Sequence, residues 1–243
     1  VMVMVADRDP LTFPVLPAPA RSRDELGEGR FTLALGAFVW SLALALNLAL
    51  ACLPMVALSL FLRPAPSLTW LVVLAWLSLG PALSAGLYAA RGRYLAPEES
   101  VFVLFWRGYR LNALDAARVT VPATLLCGAV VYAGGFGREL GLPVLFNGVL
   151  LGFALLVVLV SLHSLALVTF FRLPWTNALT LGVFYLAKAW RTTLVNVALV
   201  AVAIATTLLV SDLLLALVGG LWVWAWYRGS APMLRDSSQR FLQ

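Results

Sequence analysis

Leu140 to Phe171 reads LGLPVLFNGVLLGFALLVVLVSLHSLALVTFF, 32 residues without one Asp, Glu, Lys or Arg. As a helix it would extend about 48 Å, well beyond the ~30 Å of a bilayer's hydrocarbon core. The rest of the chain is similar in kind. Of its 243 residues 62% are hydrophobic and only 12% charged, and the mean hydropathy is +0.95. A soluble domain keeps roughly a quarter of its residues charged, so the composition excludes an ordinary soluble fold and points to a polytopic helical membrane protein.

Outward from that stretch, the uncharged runs set the spans. Phe31 to Leu62 holds 32 uncharged residues, and Pro54 is expected to kink or end its helix. Arg63 interrupts, and Pro64 to Ala90 forms a second run of 27 with Pro81 inside it. Val119 to Gly137 is a 19-residue run. The stretch from Thr192 to Tyr227 carries one charge, Asp212, which divides it. The resulting expectation is an all-α bundle of about six spans, near 31–62, 67–90, 119–137, 142–171, 192–210 and 213–234. Residues 1–30, with Pro10, Pro14, Pro17 and Pro19 and no apolar segment before a cleavage site, read as a mobile cytoplasmic tail, and 235–243 as a second one.

Charge fixes the orientation. The chain has 17 Lys+Arg against 11 Asp+Glu, a formal net charge of +6. With six spans and both ends in the cytoplasm, 15 of the 17 positive residues fall inside, and only Arg63 and Arg138 fall outside. A five-span arrangement would move three arginines to the outer face, against the positive-inside bias. The arginines alternate with lipid-seeking aromatics on short segments, so nucleic acid is not the expected partner. Cys52 and Cys127 lie inside apolar runs and support neither a disulfide framework nor a zinc site.

Two mixed segments carry the contact chemistry. Residues 97–118 and 174–191 are predicted to be amphipathic helices on the inner membrane surface. In the first, Phe102, Phe105, Trp106 and Tyr109 share one side, with Arg107, Arg110 and Arg118 toward the other. In the second, Leu179, Val183, Leu186 and Trp190 oppose Asn177, Thr180, Lys188 and Arg191. A shift of 81 residues superposes Arg107 on Lys188, Tyr109 on Trp190 and Arg110 on Arg191, which suggests an internal repeat of span, surface helix, span. Phe105, Trp106, Arg107, Tyr109, Arg110, Lys188, Trp190 and Arg191 form the predicted contact surface, for membrane lipid or a protein partner.

No reaction is written in the sequence. The runs contain no charge away from their ends, which disfavours ion coupling. Phosphate loops, His-Glu-x-x-His, Gly-x-Ser-x-Gly and Cys-x-x-Cys are missing, so no catalytic residue, cofactor or metal is expected. Asp115 and Arg118 read as a surface ion pair. Asn47, Asn147 and His163 are the polar groups within the spans; they read first as interhelical hydrogen-bonding residues and otherwise as the lining of a solute path.

The order of features resembles the YesL-type family (domain of unknown function 624) of small bacterial membrane proteins. The resemblance rests on Asn47 in the first span, Pro81 to Arg93 (PALSAGLYAARGR) and Phe102 to Asn112 (FVLFWRGYRLN). The tryptophan frequent just after that asparagine is replaced here by Leu48, Ala49 and Leu50. The resemblance implies a bacterial cytoplasmic-membrane protein acting as an accessory or regulatory subunit beside the permeases of an ATP-driven carbohydrate importer. The rival expectation is a small solute transporter or channel in its own right.

Overall fold

The computed structural model describes residues 30–61, 69–137, 141, 144–171 and 173–241. The tail expected over 1–30 lies almost wholly outside the described residues. Among those described there are helices and connections but no strands: α1 (Arg30–Ala51), α2 (Leu53–Phe61), α3 (Thr69–Trp76), α4 (Leu79–Leu95), α5 (Val101–Gly137), α6 (Val144–Phe170), α7 (Trp175–Lys188), α8 (Trp190–Leu209) and α9 (Asp212–Phe241). Five stretches are long and apolar enough to cross a membrane: Ala34–Ala51, Trp70–Leu95, Val101–Gly134, Leu145–Phe170 and Trp190–Leu209. The protein is an all-α membrane bundle.

Proline chemistry explains the two interrupted runs. The expected first span divides at Cys52, two residues before Pro54, which then occupies the first turn of α2 where its missing N–H costs nothing. Bonds from Cys52 N to Leu48 O at 2.9 Å and from Val56 N to Cys52 O at 3.0 Å carry the ladder across the break. The second run divides at Leu77–Ser78, just ahead of Pro81. A proline ring collides with the carbonyl four residues earlier, here that of Leu77.

Three boundaries need correction. The surface helix expected over 97–118 and the span over 119–137 are one 37-residue helix, α5. Arg118 marks a change of charge and not a change of direction, because a helix can leave the hydrocarbon and continue. Likewise α9 runs 30 residues to Phe241, so the tail expected over 235–243 is mostly the last turns of that helix. The helix expected over 174–191 ends at Lys188, and Trp190 and Arg191 begin α8. The 81-residue shift therefore aligns unlike backbones: α5 runs straight through Gly108, whereas the chain breaks at the equivalent Ala189.

Neighbouring helices run antiparallel and meet over small residues. A Cβ at Gly92 would collide with Leu104, one at Gly108 with Tyr88, and one at Gly80 with Thr120, so α4 lies directly along the first half of α5. At Gly220 of α9 the backbone touches that of Ser41 on α1. Thr192 Oγ1 donates to Gly229 O at 3.1 Å, and Trp222 Nε1 to Leu199 O at 3.0 Å, joining α8 to α9. Without a hydrophobic gain between helices in lipid, such close packing and interhelical bonds supply the cohesion. The shared core holds Leu44, Leu87, Phe105, Leu165, Tyr185 and Trp226.

Candidate contact surface and buried polar site

The predicted contact residues divide into two patches. On α5, neighbouring aromatic rings meet edge-on or tilted: Phe105 to Trp106 at 5.5 Å, Trp106 to Tyr109 at 5.4 Å and Phe102 to Trp106 at 6.1 Å. Phe105 is completely buried, so it belongs to the core and not to a docking face. The helical wheel grouped it correctly with its neighbours, but Phe105 packs into the core shared by several helices. Trp106 and Tyr109 are half-buried, and Arg107 and Arg110 face outward. Arg107 is engaged by Glu99, Nη1 to Oε2 at 2.8 Å.

The second patch surrounds the α7–α8 junction. The packed side of α7 consists of Ala178, Gly182 and Tyr185, while Val183 and Trp190, expected on an apolar face together, are each 58% exposed. Gly182 meets Ser164 of α6 so closely that a side chain there could not be accommodated; with Ala178 and the buried Tyr185 it marks the protein-facing side. Arg191 lies over the Trp190 ring at 5.5 Å. No hydrogen bond, ion pair or ring contact joins this patch to the α5 patch among the described residues.

Lys188 is occupied. Its Nζ lies 2.9 Å from Asp236 Oδ2, the Tyr185 hydroxyl donates to the same oxygen at 2.9 Å, and Arg240 Nε donates to Oδ1 at 2.9 Å. Lys188, and then Arg240 and Tyr185, hold the Asp236 carboxyl down at about 2, despite some desolvation. Burial pushes the Tyr185 phenol up. Asp236 was not singled out in the sequence because it was assigned to a tail; one signal was present in Asp236 and Arg240, an (i, i+4) pair that suits a helix. The expected Asp115–Arg118 ion pair is formed at 3.0 Å.

The three intramembrane polar residues have separate surroundings. Asn47 is nearly buried on α1, its Nδ2 donating to Ala43 O at 2.8 Å while Oδ1 has no partner. Asn147 stands in the first turn of α6, again with an unpartnered Oδ1. His163 is wholly buried between α6 and α8. Its Nδ1 is 2.8 Å from Leu159 O, and because a carbonyl only accepts, that nitrogen carries hydrogen. Thr193 Oγ1 lies 3.3 Å from Nε2, 2.8 Å from Leu186 O and 3.3 Å from Ala189 O, three takers for one hydroxyl proton.

Asn196, fully buried on α8, completes this cluster with Nδ2 at 3.4 Å from His163 Nδ1 and an unpartnered Oδ1. Two donors then face each other; the carboxamide turned over, with Oδ1 toward the Nδ1 hydrogen, satisfies the network better. Thr193 and Asn196 escaped the sequence reading, although Thr192, Thr193 and Asn196 share one side of an otherwise apolar helix. The arrangement clamps α6 to α8 and holds one titratable ring without an acidic partner. No group of three His, Cys, Asp or Glu among the described residues could hold a metal ion. Compared with known proteins, the chain matches no family model, no curated protein and no solved structure.

Proposed function

We propose that this is a YesL-type protein of the bacterial cytoplasmic membrane, with six spans and both membrane-domain ends in the cytoplasm. In this reading it serves as a non-catalytic accessory subunit of an ATP-driven carbohydrate importer. The observation that supports it is the residue of unspent charge. Arg107, Arg118 and Lys188 are paired within the chain, whereas Arg110, next to Tyr109 in the sequence, and Arg191, over the Trp190 ring, face outward and have no carboxylate partner among the described residues. Arginine flanked by aromatics at an exposed position is the composition of a binding anchor. The kind of partner follows from the family resemblance.

Gentle purification of the tagged protein from its native membrane, followed by mass spectrometry, tests this. Importer permeases should be recovered in stoichiometric amounts and lost from the double variant Arg110→Ala, Arg191→Ala. Recovery of the protein alone, or permeases retained by that variant, overturns the reading. The buried His163–Asn196 cluster favours a second reading, solute conduction. It requires flux of a sugar or ion into liposomes containing the pure protein, abolished in His163→Ala.

A further inference from the structure

Beside α1 an open groove of about 680 Å³ runs between Leu35, Val39, Ala43 and Asn47 on one side and Ser100 to Phe102, where α5 begins, on the other. Its α1 wall is about 18 Å long at 1.5 Å per residue, and it belongs to a stretch apolar enough to cross the membrane. Leu35 is 49% exposed, Val39 56% and Phe102 57%. Only a flexible apolar chain matches such a trough. One place is different. Trp40 lines the wall between Val39 and Ala43, and the Arg93 guanidinium lies over that ring at 4.8 Å.

Arg93 makes no ion pair among the described residues, and Glu99, on the turn leading into α5, is already held by Arg107 at 2.8 Å. Ser100 Oγ accepts from Val103 N–H at 3.3 Å, which leaves its hydroxyl hydrogen available. A guanidinium without an ion pair and a hydroxyl beside an apolar trough are complementary to a phosphate attached to a hydrocarbon chain. We propose that the groove seats one phospholipid, with an acyl chain against the apolar wall of α1 and the phosphate on Arg93. This site is independent of the importer reading.

The test is native mass spectrometry of the full chain in detergent, with added phosphatidylglycerol or, separately, diacylglycerol of the same acyl chains. One phosphatidylglycerol should be retained per chain, and diacylglycerol about tenfold less, as expected for one charge-assisted contact. Arg93→Gln should lower phosphatidylglycerol to the diacylglycerol level. Gly36→Phe should reduce both lipids, because a Cβ at Gly36 meets nothing within 4 Å and the ring fills the groove without entering the core. Equal retention of the two lipids by the parent, or undiminished phosphatidylglycerol in folded Gly36→Phe, overturns the proposal.

Discussion

The two halves of α6 are equally apolar and live in different surroundings. From Leu145 to Leu156 the side chains are largely uncovered, with Leu145 80% and Leu151 66% exposed. From Leu162 to Thr169 every residue is buried. The difference is in the company each half keeps. The second half brings Ser164 against Gly182 of α7 and Thr169 against Ser84 of α4, the last pair at 2.8 Å, with Thr169 also donating to Leu165 O at 2.7 Å. The first half offers Gly148 and Gly152 to open space. Hydrophobicity places a segment in lipid, but small and hydroxyl-bearing residues decide which part of it touches protein.

The contrast is broken most severely by bulk placed at equivalent residues in the two regimes. Gly220→Val should abolish folding or lower the melting temperature in detergent drastically, because the new Cβ would strike the Ser41 backbone, which cannot yield. Gly152→Val should leave it within a few degrees of the parent. Overpacking commonly costs about 1–3 kcal/mol and more where backbone is struck, against roughly 0.5 kcal/mol for an unconstrained site. Comparable losses for both would mean that the uncovered half of α6 is covered by protein.

Deletion gives the next effect in size. Trp226 is completely buried and Leu209 is 82% exposed. Trp226→Ala should cost about 3 kcal/mol, the lower end for such truncations because lipid replaces water as the reference, while Leu209→Ala should be near neutral by chemical or thermal unfolding. Removing His163 should cost less, about 1–2 kcal/mol, the penalty for leaving Asn196 buried with fewer partners. His163→Gln, which can still meet the amide, should recover part of that loss.

The smallest effect sharpens the comparison at the α7–α9 clasp. Because the folded Asp236 carboxyl lies near 2 and an ordinary one at 3.8, its contribution is complete above about pH 4 and falls as acid is added toward pH 2. Protease susceptibility of the end of α9 should therefore be flat between pH 7 and 4 and increase below. In Asp236→Asn this acid-dependent increase should vanish, with susceptibility already raised at pH 7. An unchanged acid response in that variant would assign the clasp to another group.

How much of this was legible in the sequence depends on the kind of signal. Uncharged runs gave the long helices, and Pro54 and Pro81 marked their interruptions to within a few residues, because chain length and ring sterics act locally. Arg118 misled, since charge reports the surroundings of a helix and not its end. The wheel over 101–118 found the aromatic side of α5 yet could not tell that tertiary packing would bury Phe105. For α7 the expected apolar face is split, Leu179 and Leu186 half-buried and Val183 and Trp190 exposed, while Ala178, Gly182 and Tyr185 pack inward. Lys188 and Asp236, 48 residues apart, meet through tertiary geometry that no local pattern encodes.

One consequence follows from α6 in mechanical terms. The helix is clamped over its final third by the His163–Asn196 network, the Ser84–Thr169 bond and the close seat at Gly182, whereas its first half is held more lightly, Cys127 Sγ of α5 donating to Ala154 O at 3.9 Å. It is a cantilever. Sideways displacement grows with distance from the clamp, so the amplitude at Leu145 is set more by the stiffness of whatever surrounds it than by the protein's own contacts. A bilayer restrains that free end and a micelle restrains it less, so a gradient of order should run along a single unbroken helix.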